Sequence, residues 1–150
     1  MAVEKTFAML KPGVLQRRIV GEVLSRIERK GLKLIALKMM SIPRALCEQH
    51  YAEHKDRPFF NDLVSYVTSG PVVAMVITGE NAIAILRMLC GATRVNEAVP
   101  GTIRGDLGLD TQKNVIHASD SAESAAREIA LFFESSEIQS YEDGNEAWYV

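Results

Sequence analysis

Val72-Val73-Ala74-Met75-Val76-Ile77 is the stretch of this chain that decides its fold. The run is short, entirely apolar and rich in valine, which is typical of a strand buried at the centre of a sheet. Gly70-Pro71 stands immediately before it and ends the preceding helix, because proline cannot continue a helix. A buried central strand needs strands beside it and helices to cover it.

Three further segments are predicted to be strands: residues 7–10, 34–40 and 114–117. Helices are predicted between them. The first has its apolar residues at i, i+3, i+4 and i+7, namely Val20, Val23, Leu24 and Ile27. Glu22 and Arg26 should form an i,i+4 pair on its polar side, and Gly31 should end it.

The remaining helices are located by proline, glycine and small polar residues. Pro43 suits the first turn of a short helix that carries Cys47, His50, Tyr51 and His54. Pro58 opens the next helix, and Gly91 ends one that begins near Ala82. Ser119, Asp120 and Ser121 are N-cap candidates for the last helix. Residues 92–113 show no period and are expected to form a functional loop, and residues 141–150 are expected to pack along a surface or a neighbouring subunit.

The order of elements predicts an α+β fold. Four strands interleaved with helices match the ferredoxin-like arrangement, a four-stranded antiparallel sheet with its helices packed mainly on one face. The order alone does not exclude a doubly wound sheet, but no Gly-x-Gly-x-x-Gly turn follows the first strand. The 150 residues suit a single domain, residues 1–150.

Composition excludes several classes of protein. The formal charge of −2 argues against a nucleic-acid or membrane surface that depends on bulk charge. The longest apolar run is far shorter than the roughly 18 residues of a membrane span. Cys47 and Cys90 are too few for a disulfide scaffold, so reduced thiols and a cytoplasmic location are expected.

His117 is the most informative residue for chemistry. It stands at the end of a predicted strand in Asn114-Val115-Ile116-His117-Ala118-Ser119-Asp120-Ser121. A neutral imidazole can attack phosphorus if one ring nitrogen keeps its lone pair and the other donates to an acceptor. Glu128 is the candidate acceptor, and Ser119 could bridge the two. Taken alone, a histidine at a strand end is more often a packed or solvated residue.

Other polar residues suit a polyphosphate ligand, although each alone is more often inert. Lys11 follows the first strand, Arg87 lies on a helix, and Thr93 and Arg104 lie in the long loop. No Walker loop or protein-kinase motif is present, so a nucleotide would be held differently. Phe59 could stack on a base, since Phe60 already supplies the apolar helix face. His50 and His54 form an i,i+4 pair without an evident third metal ligand, which favours a solvated helix face and no metal site.

These segments together resemble the nucleoside diphosphate kinases along nearly the whole chain. The matching pieces are Thr6-Phe7, Lys11-Pro12, Val20-Gly21-Glu22, His50-Tyr51-Ala52-Glu53-His54, Arg57-Pro58-Phe59-Phe60, Ser69-Gly70-Pro71-Val72, Pro100-Gly101-Thr102-Ile103-Arg104-Gly105-Asp106 and the segment around His117. The last two are the most specific.

The resemblance implies a phosphotransferase that works by ping-pong transfer through a phosphorylated His117, with Ser119 and Glu128 orienting the ring. It implies broad base specificity and Mg²⁺ held mainly by the nucleotide phosphates. It also implies a homo-oligomer, a tetramer or a hexamer. The nucleotide site would be lined by Lys11, Tyr51, Phe59, Arg87, Thr93, Arg104 and Asn114. Arg87, Thr93 and Arg104 would hold phosphates, and Phe59 would stack on the base. Lys11 and Asn114 would meet the ribose hydroxyls, and Lys11 would also be a catalytic residue near the transferred phosphoryl group.

The chain departs from the family pattern at three places. Gly13-Val14 stands where the family usually has Asp-Gly, and Ala118 stands where it usually has glycine. Residues 94–99 are an unusual version of a loop that makes subunit contacts in the family. Two rival functions are disfavoured. A non-catalytic ferredoxin-like binding module is expected to lack one or more of Lys11, Arg104 and His117, and all three are present. A nucleic-acid-binding protein calls for a basic stripe, and the chain is slightly acidic.

Overall fold

The computed structural model describes residues 3–149. The strands are β1 (Val3–Leu10), β2 (Lys33–Met40), β3 (Val72–Glu80) and β4 (Ile116–Ala118). The helices are α1 (Val20–Lys30), α2 (Arg44–His50), α3 (Phe60–Val67), α4 (Ala82–Cys90), α5 (Ile103–Leu107) and α6 (Ala122–Phe132). Short 3₁₀ turns occupy Ala52–His54, Ser135–Glu137 and Glu146–Trp148.

The four strands form one antiparallel sheet in the order β2-β3-β1-β4. The predicted run of residues 72–77 is the first part of β3, which pairs with β1 along its whole length. Helices α1 and α4 each carry the chain over one intervening strand, as in the ferredoxin-like arrangement. The predicted sheet is therefore confirmed. It brings the end of β1, at Leu10, beside Ile116 of β4.

Helices cover both faces of this sheet, and the expectation that they pack mainly on one face is wrong. Residues of β1 and β3 alternate between two apolar cores. Ala8 and Met75 face the core formed with α1 and α4, whereas Phe7 and Val76 face the core formed with α2, α3 and α6. A strand that is apolar at every position must be buried on both faces.

Local sequence signals set the ends of several elements. Gly31 adopts φ 105° and ends α1 by donating its N–H to the carbonyl of Glu28. Glycine is favoured there because a Cβ is strained at positive φ. Arg26 and Glu22 form the predicted pair at 2.9 Å. Ser121 caps α6, its hydroxyl oxygen accepting from the N–H of Ser124 at 3.1 Å.

The predicted loop 92–113 contains a helix that periodicity missed. In α5, the hydroxyl oxygen of Thr102 caps the helix by accepting from the N–H of Gly105. Asp106 pairs with Arg26 at 2.8 Å, which fixes α5 to α1. Several other boundaries differ from prediction. The strands β1, β2 and β3 are longer than their predicted segments, and α3 begins at Phe60, two residues after Pro58. Helix α2 ends at His50 before a 3₁₀ turn, and β4 begins at Ile116 and runs to Ala118.

The C-terminal tail packs on the turn between α1 and β2 of its own chain. This agrees with the first of the two predicted alternatives, packing along a surface. Lys33 donates to the carbonyl of Tyr141 and pairs with Glu146 at 2.8 Å. The ring of Tyr149 lies against Gly31, so close that a Cβ there would meet ring atoms at 2.5 Å. The prediction for residue 150 lies outside the described residues.

The thiols are buried and unpaired. Cys47 and Cys90 are both free, as predicted. Burial raises the pKa of each thiol to about 11, which keeps both protonated near neutral pH. Within residues 3–149, no helix has both the length and the apolar character that crossing a membrane requires.

Candidate active site

His117 is held by two residues of the following segment. Its Nε2 lies 2.8 Å from Oε1 of Glu128, and the hydroxyl of Ser119 donates to the same oxygen at 2.7 Å. β4 presents His117 opposite Met9 of β1, and α6 brings Glu128 back to it. The predicted trio is therefore assembled. Ser119 and Glu128 are buried, whereas the His117 side chain is 23% exposed.

The charge of Glu128 fixes the tautomer of His117. Burial opposes ionisation of this carboxyl, but hydrogen bonds from His117 and Ser119 outweigh it and lower the pKa of Glu128. An ionised carboxylate can only accept, so Nε2 of His117 carries the proton. The lone pair of a neutral imidazole is then on Nδ1, the nitrogen available for attack.

His50 is a neighbour of this ring that sequence reasoning assigned to a solvated helix face, and that assignment is wrong. It is 4% exposed, and its ring meets the His117 ring edge to face with centroids 4.7 Å apart. Burial, with a smaller contribution from His117, lowers the pKa of His50 to about 3. Both imidazoles and the Glu128 carboxylate have ligand atoms within 4.8 Å of one another. The i,i+4 spacing to His54 pointed to the wrong partner.

Lys11 and Asn114 form a buried pair next to the turn that precedes β4. The ammonium of Lys11 donates to Oδ1 of Asn114 at 2.7 Å, and the Asn114 amide donates to the carbonyl of Thr93 at 3.0 Å. Burial, and next the charge of Arg104, lower the pKa of Lys11 to about 8. Lys11 lies here because its own N–H bonds the carbonyl of Val115 at 2.9 Å, just beyond the last β1–β4 pair. The side chain of Thr93 stays on an exposed segment.

Arg104 holds the chain immediately before His117. Its guanidinium donates to the carbonyls of Asn114, Ile116 and Gly91 at 3.2, 2.6 and 2.9 Å. Between the first two carbonyls, Val115 adopts φ 77° and the N–H of Ile116 bonds the carbonyl of Asn114. This is a γ-turn with an unfavourable φ for a β-branched residue. It explains why β4 begins at Ile116.

Arg87 bonds to the residue that follows His117. The guanidinium of this exposed α4 residue donates to the carbonyl of Ala118 at 3.1 Å. Ala118 is not among the described residues with positive φ, so its methyl group introduces no backbone strain where the family usually has glycine. Lys11, Arg87 and Arg104 therefore all bond to residues within 114–118.

Tyr51 and Phe59 occupy contrasting positions. Tyr51 is 8% exposed, packs against the ring of His50 and has no hydrogen-bond partner for its hydroxyl within residues 3–149. Phe59 is 47% exposed, whereas Phe60 is buried in the core, as the helix pattern predicted. The Phe59 ring lies beside the His54 ring, with centroids 5.6 Å apart.

The turn after Lys11 accommodates the unusual Gly13-Val14 pair. Gly13 takes φ 99°, and the N–H of Val14 bonds the carbonyl of Lys11 at 3.2 Å. Proline followed by a glycine of positive φ is the pattern of a type II turn. Val14 is buried in the core that α1 helps to form. The turn therefore closes although Gly13-Val14 stands where the family usually has Asp-Gly.

Comparison with known proteins identifies the family. The sequence model described as "Nucleoside diphosphate kinase" matches residues 4–138. The chain belongs to the nucleoside diphosphate kinase family. A relative with that name from Treponema pallidum is 60% identical over 145 residues, 97% of each chain. Another from Archaeoglobus fulgidus is 59% identical over 146 residues, 97% of each chain.

A solved structure agrees with the family assignment. The nucleoside diphosphate kinase of Halobacterium salinarum, determined in complex with CDP, is 47% identical, with a TM-score of 0.96 and 99% of each chain covered. The fold and the enzyme class expected from the sequence are confirmed. As a member of this family, the chain is an enzyme that transfers phosphoryl groups between nucleotides.

Proposed function

We propose that His117 carries the phosphoryl group in this reaction, taking it from a nucleoside triphosphate and passing it to a nucleoside diphosphate in a ping-pong cycle. The supporting observation is the 2.8 Å contact that places a proton donor of His117 on a buried carboxylate. Three cationic side chains bonded around residues 114–118 would receive the negative charge of the phosphates.

Phosphoryl transfer through His117 needs no oxidant and no added base. The Nδ1 lone pair attacks the γ-phosphorus, the bond from that phosphorus to the bridging oxygen breaks, and the diphosphate leaves. Attack leaves positive charge on the ring, which Glu128 stabilises through Nε2–H. A terminal oxygen of the incoming diphosphate then attacks the same phosphorus, and the N–P bond breaks.

The remaining site residues divide the nucleotide between them. Arg87, Thr93 and Arg104 would contact the phosphates, and Lys11 and Asn114 the ribose hydroxyls. An arginine has five N–H donors, so Arg104 keeps donors for a ligand besides those on the three carbonyls. Phe59 would stack on any base, because every base has a π-face. Tyr51, which is buried, would line the nucleotide site from the side of the core.

Mg²⁺ would enter with the nucleotide. Mg²⁺ prefers oxygen ligands in octahedral geometry, and Glu128 is the one carboxylate among the proposed site residues. When bound, the ion neutralises charge on the β- and γ-phosphates. The side chains of the site are suited to hold the phosphates that carry it and do not form an oxygen cage of their own.

The full chain, residues 1–150, would act as one domain in a homo-oligomeric cytoplasmic enzyme, a tetramer or a hexamer, without a nucleic-acid or membrane partner. Leu37 and Met39 support assembly. They are 51% and 66% exposed on β2, which is an edge strand of the sheet. Apolar side chains beside unpaired backbone groups favour contact with another chain.

Mass spectrometry under alkaline handling tests the nucleophile. Incubation with Mg²⁺–ATP alone should add one acid-labile, base-stable phosphoryl group at His117. His117→Ala should remove that adduct and lower transfer to GDP by at least about 10⁴-fold, the scale expected for loss of a covalent nucleophile. His54→Ala is the matched control, since His54 lies on the exposed 3₁₀ turn. Near-normal turnover by His117→Ala would refute the assignment.

A further inference from the structure

His50 is a buried polar side chain without a hydrogen bond. It is 4% exposed, and neither ring nitrogen has a partner within residues 3–149. A buried polar group usually has a partner, because the loss of hydration is otherwise uncompensated. The ring stands edge to face against His117, 4.7 Å away, and also contacts Phe7 and Phe132. An unoccupied nitrogen lone pair beside a second imidazole is suited to a metal ion.

The three groups that meet here are two imidazoles and one carboxylate. One ring nitrogen of His50, one of His117 and an oxygen of Glu128 lie within 4.8 Å of one another. We propose that these residues form a binding site for Zn²⁺ or a similar divalent transition-metal ion, and that the bound ion blocks the nucleophile. Two histidines with a carboxylate are a frequent Zn²⁺ donor set, with water as the fourth ligand.

The geometry requires a small closure. With Zn–N bonds near 2.0 Å, two ligands of a tetrahedral ion are about 3.4 Å apart, so donors that lie up to 4.8 Å apart must approach by up to about 1.4 Å. Rotation of the His117 side chain, which is 23% exposed, would supply most of this movement. The ion would enter from the exposed side of His117, and its water would occupy the same side. Mg²⁺ would not compete, because it prefers oxygen ligands.

Metal binding and inhibition can be tested separately. Metal binding stands on the geometry of the three side chains alone. The nitrogen of His117 that lies beside Glu128 is Nε2, so coordination there would move the ring proton to Nδ1 and remove the lone pair that attacks phosphorus. Inhibition rests on the proposed function, in which His117 is the nucleophile. Zn²⁺ would therefore act as a reversible inhibitor of the phosphotransfer that Mg²⁺–nucleotide supports.

Titration of the full-length protein with Co²⁺, without nucleotide, tests the binding. Co²⁺ replaces Zn²⁺ and gives visible absorption bands in a tetrahedral site. One equivalent should bind, Zn²⁺ should displace it, and millimolar Mg²⁺ should not. His50→Phe should raise the Kd by about 100-fold or more, with folding checked by circular dichroism. His54→Gln is the control and should bind like the wild type.

X-ray absorption of the Zn²⁺-loaded wild-type protein gives a result that depends on no variant, and it should find two imidazole ligands. For inhibition, Zn²⁺ is loaded, excess ion is removed, and Mg²⁺–ATP is added. The rate should fall more than tenfold and return with a chelator. Absence of tetrahedral Co²⁺ bands, or equal affinity in His50→Phe, overturns the metal site and leaves the proposed function intact. Metal bound by two imidazoles without inhibition overturns the role of His117 instead.

Discussion

Lys11, Asn114 and Arg104 are 9%, 2% and 4% exposed, and each is hydrogen-bonded to its surroundings, whereas Phe59 is 47% exposed and contacts one neighbouring ring. The first group would hold phosphates and ribose, and the second would meet the base. On this proposed assignment the phosphate end would be preorganised and the base end would be adaptable. The difference would let one site position a phosphorus atom closely while it accepts any nucleoside.

Among the residues around His117, the largest effect is expected at Glu128, the carboxylate that accepts from the proposed nucleophile. Glu128→Ala should lower kcat by about 10²–10³-fold, because Nε2 loses the acceptor that fixes the tautomer and stabilises the charged ring. Ser119→Ala, which removes only the second hydrogen bond to Glu128, should lower kcat by about tenfold or less. Rapid-quench measurement of phosphohistidine formation checks both. Equal rates in Glu128→Ala and the wild type would break the proposed preorganisation.

Arg104→Ala should weaken both the fold and the catalysis. Three carbonyls lose their donor, two of them on the strained turn at Val115, so the free energy of unfolding should fall by about 3 kcal/mol. Denaturant titration followed by circular dichroism measures this. Transfer should fall by the same factor for ATP, GTP, CTP and UTP. A loss confined to one base would contradict the assignment of Arg104 to the phosphate end.

The pKa of Lys11 predicts an alkaline limit to activity. Burial lowers this pKa from 10.5 to about 8, so the free enzyme loses the ammonium charge as pH rises through that value. The value of kcat/KM should be halved near pH 8 and then decrease by up to about tenfold per pH unit. Lys11→Arg keeps its charge and should shift this limb to higher pH, whatever its absolute rate. An unchanged limb in Lys11→Arg would assign it to another group.

The smallest effect is expected at the base. Phe59→Ala should raise KM by about fivefold for every nucleoside, since an exposed stacking contact contributes about 1 kcal/mol. Phe60→Ala is the neighbouring control. Phe60 is buried, so its truncation should lower stability by about 3 kcal/mol through the cavity left in the core. Steady-state kinetics with four nucleotides distinguishes the two, and a base-dependent change at Phe59 would show that this end reads the base.

The sequence predicts the sheet well because its signals are local and strong. The apolar run that begins at Val72 and the glycines at 31 and 91 locate β3, α1 and α4 correctly. The same apolar run also indicates burial on both faces of the sheet, whereas the prediction placed the helices mainly on one face. Helix α5 is only five residues long, too short for periodicity, although Thr102 as a cap was a usable signal.

The site was predicted less evenly. His117 ends one strand, Glu128 stands two turns into the helix that follows, and Ser119 lies between them, so their contact could be predicted from spacing along the chain. The position of His50 depends on how α2 packs on the sheet, which no spacing in the sequence reveals. The γ-turn at Val115 was also missed, because tertiary contacts from Arg104 oppose the preference of valine for negative φ.

The packing of Tyr149 on Gly31 has a consequence for how unfolding is observed. Trp148, the single tryptophan of the chain, is 86% exposed on the same tail. An indole that is already in water should change its emission little, whether the tail is released or the core unfolds. A melting curve followed by tryptophan fluorescence would therefore under-report unfolding, and circular dichroism, which follows the helices and the sheet, would describe it.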